Sequence, residues 1–408
     1  MVDTSPKNAP TRGQKAKASR LWWVVHQWVG LKLSVFMSFV LLTGTLAVFS
    51  NEIDWLIHSG MRVNPSTLNG DIAWVELARA TYNQHPDGNI QSLTAPVDKG
   101  FAAFATVTSE GGERRLVYAH PSTGVFQGDY NWVTVQRVLR FMHRHLFLPT
   151  AIGVPLVSAL SIFLLISIVT SFVVYKKWWR GFFKPIRFRD ARTALGDVHR
   201  IMGVWSLWFV ALMALTGLWY LAESTFARAP GHPSVQVEAT ELSLRQQVDQ
   251  LELALHIAQE ANPELNLKRI VFPTKRSGAF IFQGDHKAML VRPRSNAVWV
   301  EAATSEVKLL TDGRELNMHQ RISEMADPLH FGYFAGVWTK IIWFTFGVLL
   351  TALSITGVAI YSTRLLKSEK RPAQLRSGFM KSFAGMGFWL VPSIIPVLIG
   401  LTFWIFAF

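Results

Sequence analysis

Five long apolar runs alternate with polar stretches along the chain, at residues 21–49, 152–175, 201–221, 339–361 and 388–408. About 20 helical residues cross the roughly 30 Å hydrocarbon core of a bilayer, so each run is long enough to span it. One such run fits the buried helix of a soluble core, but five predict a polytopic α-helical membrane protein. Lys32 lies near one end of the first run, and Pro392 and Pro396 break the last. The first two runs bracket a polar segment at 50–145, and the third and fourth bracket another at 222–335. Both segments carry an α+β pattern. In the first, Asp71 is placed to cap a helix with Ile72, Val75, Leu77, Ala78 and Thr81 toward one face. Strand-like runs follow at 101–108 and 114–119, then a turn at Pro121-Ser122-Thr123-Gly124. In the second, Ser243 caps a helix with Val248, Leu251, Leu255 and Ala258 on one side, and strands are predicted at 269–272, 279–283 and 288–292. Segments of about 100 residues hold one modest core each, without a deep cleft of their own.

The apolar runs also repeat. His26 opens HQWVGLKLSVFMSFVLLTGTL and His199 opens HRIMGVWSLWFVALMALTGLW, each with Gly at +4 (Gly30, Gly203) and Thr-Gly at +17 and +18 (Thr43-Gly44, Thr216-Gly217). A second pair follows the same rule: His143 precedes the run that ends Thr170…Tyr175, and His330 precedes the run that ends Thr356…Tyr361, with the Thr-to-Tyr spacing five in both. The chain therefore reads as two parallel copies of a span–module–span unit. Each copy places one histidine at either edge of a membrane.

Charge orients this arrangement, because short cytoplasmic loops collect Lys and Arg. Residues 1–25, 176–200 and 362–387 hold 19 basic residues against four acids (Asp3, Asp190, Asp197, Glu369), which accounts for the whole net charge of +14. The reading is a cytoplasmic basic tail at 1–20, cytoplasmic loops at 176–200 and 362–387, and both polar segments on the outer, periplasmic side of a bacterial inner membrane. The basic excess is topological and does not signal nucleic acid, which calls for a basic face on a folded module. The first run is too long, and lacks a small-residue cleavage site, to be a signal peptide, so it is expected to remain as an anchor.

With no cysteine in the chain, disulfides, iron–sulfur clusters, thiolate ligation of haem and covalent haem attachment are excluded. No Ser-His-Asp array, phosphate loop or G-x-G-x-x-G after a strand is present. The inner loops, at about 25 residues, are too short for a nucleotide or flavin domain.

Taken together, the two H-x₃-G…TG runs, Met142-His143-Arg144, Leu329-His330-Phe331-Gly332 and the turn Val117-Tyr118-Ala119-His120-Pro121-Ser122-Thr123-Gly124 resemble the PepSY-associated transmembrane family over about residues 20–365. In the second segment Arg292-Pro293-Arg294-Ser295-Asn296 departs from the family's turn, and the fifth run lies outside its core pattern. The resemblance implies two small periplasmic PepSY-like modules. It also implies kinship with inner-membrane ferric-siderophore reductases that hold haem b between helices, with His26, His143, His199 and His330 as the matching histidines.

The residues support haem independently of the resemblance. Imidazole is the usual axial ligand of b-type haem, and a porphyrin between helices needs two imidazoles at similar depth. The repeat pairs His26 with His199 at the inner edge and His143 with His330 at the outer edge, with His145 as the alternative outer ligand. The 17 residues from His26 to Thr43 rise about 26 Å as helix, so two haems stand in series. Met142, Met202 and Met325 are better suited to packing than to ligation.

The expected function is transmembrane electron transfer to a periplasmic ferric siderophore docked between the two modules, near Asp327-Pro328-Leu329-His330. A separate cytoplasmic reductase or membrane quinol supplies the electrons. The competing reading is a non-enzymatic regulator whose modules bind a periplasmic partner. A metal transporter fits less well, since no run carries an ionisable residue near its midpoint.

Overall fold

A computed structural model describes residues 12–238, 241–368 and 375–405. Asp3 and Lys7 of the basic tail, Glu369, Lys370 and Arg371 of the last basic loop, and residues 406–408 of the fifth run lie outside the described residues. The first run forms α1 (Arg12–Lys32) and α2 (Ser34–Ala47), followed by α3 (Ser50–Ile57). The first polar segment holds α4 (Trp74–Gln84), β1 (Asn89–Thr94), β2 (Ala103–Thr108), β3 (Arg114–Ala119) and β4 (Phe126–Asn131). Next come α5 (Val135–His145), α6 (Thr150–Ser158) and α7 (Leu160–Val174), then α8 (Ala191–Trp205) and α9 (Leu207–Thr225). The second polar segment holds α10 (Leu244–Ala261), β5 (Asn266–Val271), β6 (Ala279–Asp285), β7 (Ala297–Glu301), β8 (Val307–Thr311) and α11 (Met318–Phe331). The chain closes with α12 (Gly336–Ser368), α13 (Leu375–Met386) and α14 (Leu390–Ile405). It divides into a helical unit (Met1–Leu46, Arg140–Phe226, Ile342–Phe408) and a sheet unit (Ala47–Leu139, Ala227–Ile341).

Among the described residues, Thr150–Val174, Leu207–Thr225, Gly336–Leu366 and Gly378–Thr402 are each long and apolar enough to cross a bilayer. Arg20–Lys32 and Ser34–Ala47 qualify together as a fifth span, bent by 66°. Lys32, expected near the end of the first span, stands at this internal break instead. The break at Leu33 follows His26 by seven residues, and a matching interruption at Ser206 follows His199 by seven, so the repeat extends to the backbone. Of the stretch at 362–387, expected as a loop, residues 375–386 are helical as α13. Packing puts α7 against both α1 and α9. Small and hydroxylated residues line the close approaches: Ser38 bonds Ser354 at 2.8 Å and Thr45 meets Thr351 at 3.3 Å. A Cβ on Gly217 would stand 2.8 Å from that of Ser161. Between membrane helices, such residues let backbones approach where hydrophobicity alone gives no drive.

The sheet unit is one eight-stranded antiparallel sheet in the order β4-β3-β2-β1-β5-β6-β7-β8. The two polar segments join edge to edge through β1 and β5, with Leu93 opposite Ile270. Both α4 and α10 pack on one face over a shared core that includes Leu77, Ile90, Leu93, Leu251, Ile270, Phe280 and Phe282. The segments therefore do not leave a docking cleft between them: β1–β5 pairing and this core occupy that place. Ser243 caps α10 in a capping box with Gln246, as expected. Asp71 does not cap α4, whose first turn follows Ala73, itself bonded through its amide to Pro121 O. Residues 288–292, expected as a strand, form a turn with Leu290 at φ 55°, and the next strands come later as β7 and β8.

Candidate functional site

His26 and His199 occupy equivalent seats. Nδ1 of His26 lies 2.9 Å from Thr170 Oγ1 on α7, and Nδ1 of His199 lies 2.9 Å from Thr356 Oγ1 on α12. The direction of these bonds follows from the threonines. Thr170 Oγ1 lies 2.7 Å from Ile166 O and Thr356 Oγ1 lies 2.7 Å from Ala352 O, so each hydroxyl proton is committed to its own helix. Only a lone pair is left for the imidazole, hence Nδ1–H donates and Nε2 keeps its lone pair. The signal in the sequence was the repeated Thr-to-Tyr spacing, which marks these threonines as equivalent without revealing what they hold.

His143, at the end of α5, is oriented in the same sense. Its Nδ1 lies 2.9 Å from Val40 O on α2. A carbonyl only accepts, so again Nδ1–H donates. The ring fits because residue 44 is glycine: a Cβ there would stand 2.5 Å from His143 Cε1. This gives the first Thr-Gly pair a role in seating a histidine. The N-terminus of α5 is held by Asp54, buried to 2% exposure, whose two carboxylate oxygens accept from Val135 N (2.8 Å) and Gln136 N (2.9 Å). A carboxylate that satisfies two orphan amides of a helix start fixes that helix.

His145 is buried, its ring 5.0 Å from Phe141, and its Nδ1 has no partner. It precedes Leu146 and Phe147, which adopt left-handed φ of 54° and 59°. Such backbone costs on the order of 1–3 kcal/mol per residue and persists only where the surroundings enforce it.

His330 belongs to the sheet unit, in the last turn of α11, with its ring edge-on to Phe331 at 5.6 Å. Earlier on the same helix, the buried Glu324 accepts from Arg292 Nε (2.8 Å), Arg294 Nη2 (2.7 Å) and His232 Nε2 (2.8 Å), while Asp327 takes a further Arg292 nitrogen. The arginines come from the Arg292–Asn296 stretch, whose departure from the family's turn thus has a structural purpose: it clamps the helix that carries His330. On the helical unit, Asp197, two residues before His199 and 3% exposed, accepts from Arg187 N and Nε (both 2.9 Å) and Arg200 Nη1 (2.7 Å). Hydrogen bonds from Arg187 hold its carboxyl well below the usual carboxylate range.

The donor set and the space around it suit a planar bis-imidazole cofactor. One turn after His26, a Cβ on Gly30 would meet nothing within 4 Å, and one turn after His199, a Cβ on Gly203 would meet only the tip of Leu353 at 3.7 Å. Among the described residues no cluster of three or more His, Asp or Glu could hold a bare metal ion.

The family described as the PepSY-associated TM region matches residues 23–364. No curated protein matches the chain.

Proposed function

Because the chain belongs to the PepSY-associated transmembrane family and seats His26 and His199 in equivalent threonine-anchored positions, we propose that it is a di-haem b electron-transfer protein of a bacterial inner membrane that reduces periplasmic ferric siderophore. His26 and His199 hold the inner haem and His143 and His330 the outer one. The observation that carries this reading is the twofold use of one device: a threonine hydroxyl, its own proton already spent, fixes the tautomer of each inner histidine. Anchoring Nδ1 in this way is how proteins orient imidazole ligands and raise their basicity. His143 is preferred to His145 at the outer site because its Nδ1 is anchored to Val40 O, whereas Nδ1 of His145 has no such anchor.

Haem b, when bound, supplies reversible one-electron exchange at iron. The protein's own share is to exclude water, fix the rings and set two sites in series across the bilayer. Basic loops put the N-terminus inside and the sheet unit outside. Electrons moving outward across an inside-negative membrane gain about 2.3 kcal/mol per 100 mV. They come from a separate cytoplasmic reductase or quinol. Reduction releases the iron because hard oxygen ligands hold Fe(II) far less well than Fe(III).

Visible spectroscopy of the purified protein tests this. We expect a low-spin haem b difference spectrum and about two haems per chain, from two His pairs. His26→Ala and His199→Ala should remove the same spectral component, and His143→Ala and His330→Ala the other. A colourless protein from haem-replete cells would sink the electron-transfer reading in favour of a binding or regulatory membrane protein.

A further inference from the structure

Backbone groups freed by a helix break inside hydrocarbon have to be satisfied within the protein. At the break of the first span, Phe36 N would bond Lys32 O in a continuous helix. It meets Ser393 Oγ of α14 at 3.2 Å instead, and the regular ladder resumes with Met37 N to Leu33 O at 2.8 Å. The helix that leads into the fifth run breaks as well, where α13 stops before Gly387 at φ +56°. The carbonyls at that end, Gly385 O and Met386 O, accept from Lys32 Nζ at 2.8 and 3.1 Å. Each broken span thus repairs the other: the first lends an ammonium to a helix C-terminus, where a cation is favoured, and the fifth lends a hydroxyl to an orphan amide. Trp28 packs edge-on to Trp389 at 5.2 Å, and a Cβ on Gly400 would stand 3.2 Å from the Phe39 ring, so the contact continues along both arms.

We propose that α13 and α14 form a brace that sets the bend of the first span, with Lys32 and Ser393 as positioning residues for both haem sites. His26 lies seven residues before the break, and the His143 seat at Val40 and Gly44 lies seven to eleven residues after it. The two seats ride on opposite arms, so the bend fixes their separation and orientation. An ionisable residue within a span is costly and marks a position with a role of its own. The part of the proposal that concerns haem rests on the function proposed above, whereas the brace itself does not.

Two readouts separate these. The chain has no cysteine, so Trp28→Cys with Trp389→Cys provides a single pair for a short bis-maleimide in native membranes. Cross-linking should be efficient in the otherwise wild-type chain and fall several-fold when Lys32→Met and Ser393→Ala are added. In the wild-type background, Lys32→Met should shift the midpoint potentials and spectra of both haem components, and Lys32→Arg, which keeps the cation, should restore them. Unchanged cross-linking and unchanged potentials in Lys32→Met/Ser393→Ala would overturn the brace. If the wild-type protein carries no haem, the cross-linking arm decides alone. If the Lys32→Met chain does not accumulate, Ser393→Ala and Lys32→Arg are compared with wild type in the same two assays.

Discussion

An imidazole that ligates through Nε2 has to place its Nδ1 proton elsewhere, and in this chain the receivers are specific: Thr170 for His26, Thr356 for His199, Val40 O for His143. The histidines were legible in the sequence because the repeat places them twice. The receivers were not, since each hydrogen bond joins residues 103 to 157 positions apart and no local pattern records such a partner. Loss of an outer-shell partner typically lowers affinity at a histidine site by about 10- to 100-fold. Thr170→Val and Thr356→Val keep the shape and remove the acceptor. Each should therefore weaken retention of the inner haem by that order, measured as haem per chain during graded detergent washing, while Thr170→Ser retains it. Equal retention in both valine variants would reduce these threonines to helix packing.

At the scale of elements, hydropathy marks where the spans are and is silent on how they bend. The segment around Leu33 contains no proline, and its break arises where a side chain from α14 enters the hydrogen-bond ladder, one of the few recognised causes of a sharp kink. The strands show the same limit. β2 and β3 carry apolar alternation and were expected, whereas β1 (Asn89–Thr94) and β4 (Phe126–Asn131) are too polar to stand out and owe their place to their neighbours. The helix α11 depends on Glu324, 1% exposed. Burial alone would raise its carboxyl, but hydrogen bonds and charge from Arg292 and Arg294 outweigh this and hold it down at about 2. An unfolded-chain glutamate titrates near ~4.3, so the stabilisation is complete above about pH 4.5 and is lost as pH falls toward 2. Glu324→Gln removes the buried charge that Arg292, half-buried and still paired with Asp327, and the exposed Arg294 converge on, and should cost on the order of 1–3 kcal/mol near neutrality. Thermal unfolding from pH 7 to pH 2.5 should show the wild-type advantage shrinking below about pH 4.5. A constant gap across that range would show that the Glu324 charge contributes nothing to the clamp.

At the scale of the whole chain, the two polar segments were read as separate modules because each has its own helix and strands. Their fusion through Leu93 and Ile270 into one sheet with one core was hidden by the polar character of β1. That fusion removes the space between modules from the expected acceptor site, and of that expectation it leaves the end of α11, where Asp327-Pro328-Leu329-His330 closes the clamped helix. Electron tunnelling falls steeply with distance, so under the proposed function an acceptor has to come close to a haem ligated by His330. In proteoliposomes with the sheet unit outward, the chemically reduced protein should be reoxidised by an external ferric hydroxamate, with Fe(II) appearing at a membrane-impermeant chelator outside. His330→Ala should abolish this transfer. His199→Ala should leave the first turnover nearly intact and block re-reduction from the lumen, because only the inner site is lost. If several ferric siderophores fail to reoxidise a protein that retains both haems, the siderophore is discarded as substrate and transmembrane electron transfer survives with another outer acceptor. If His199→Ala and His330→Ala abolish the first turnover alike, the serial order of the two sites is wrong.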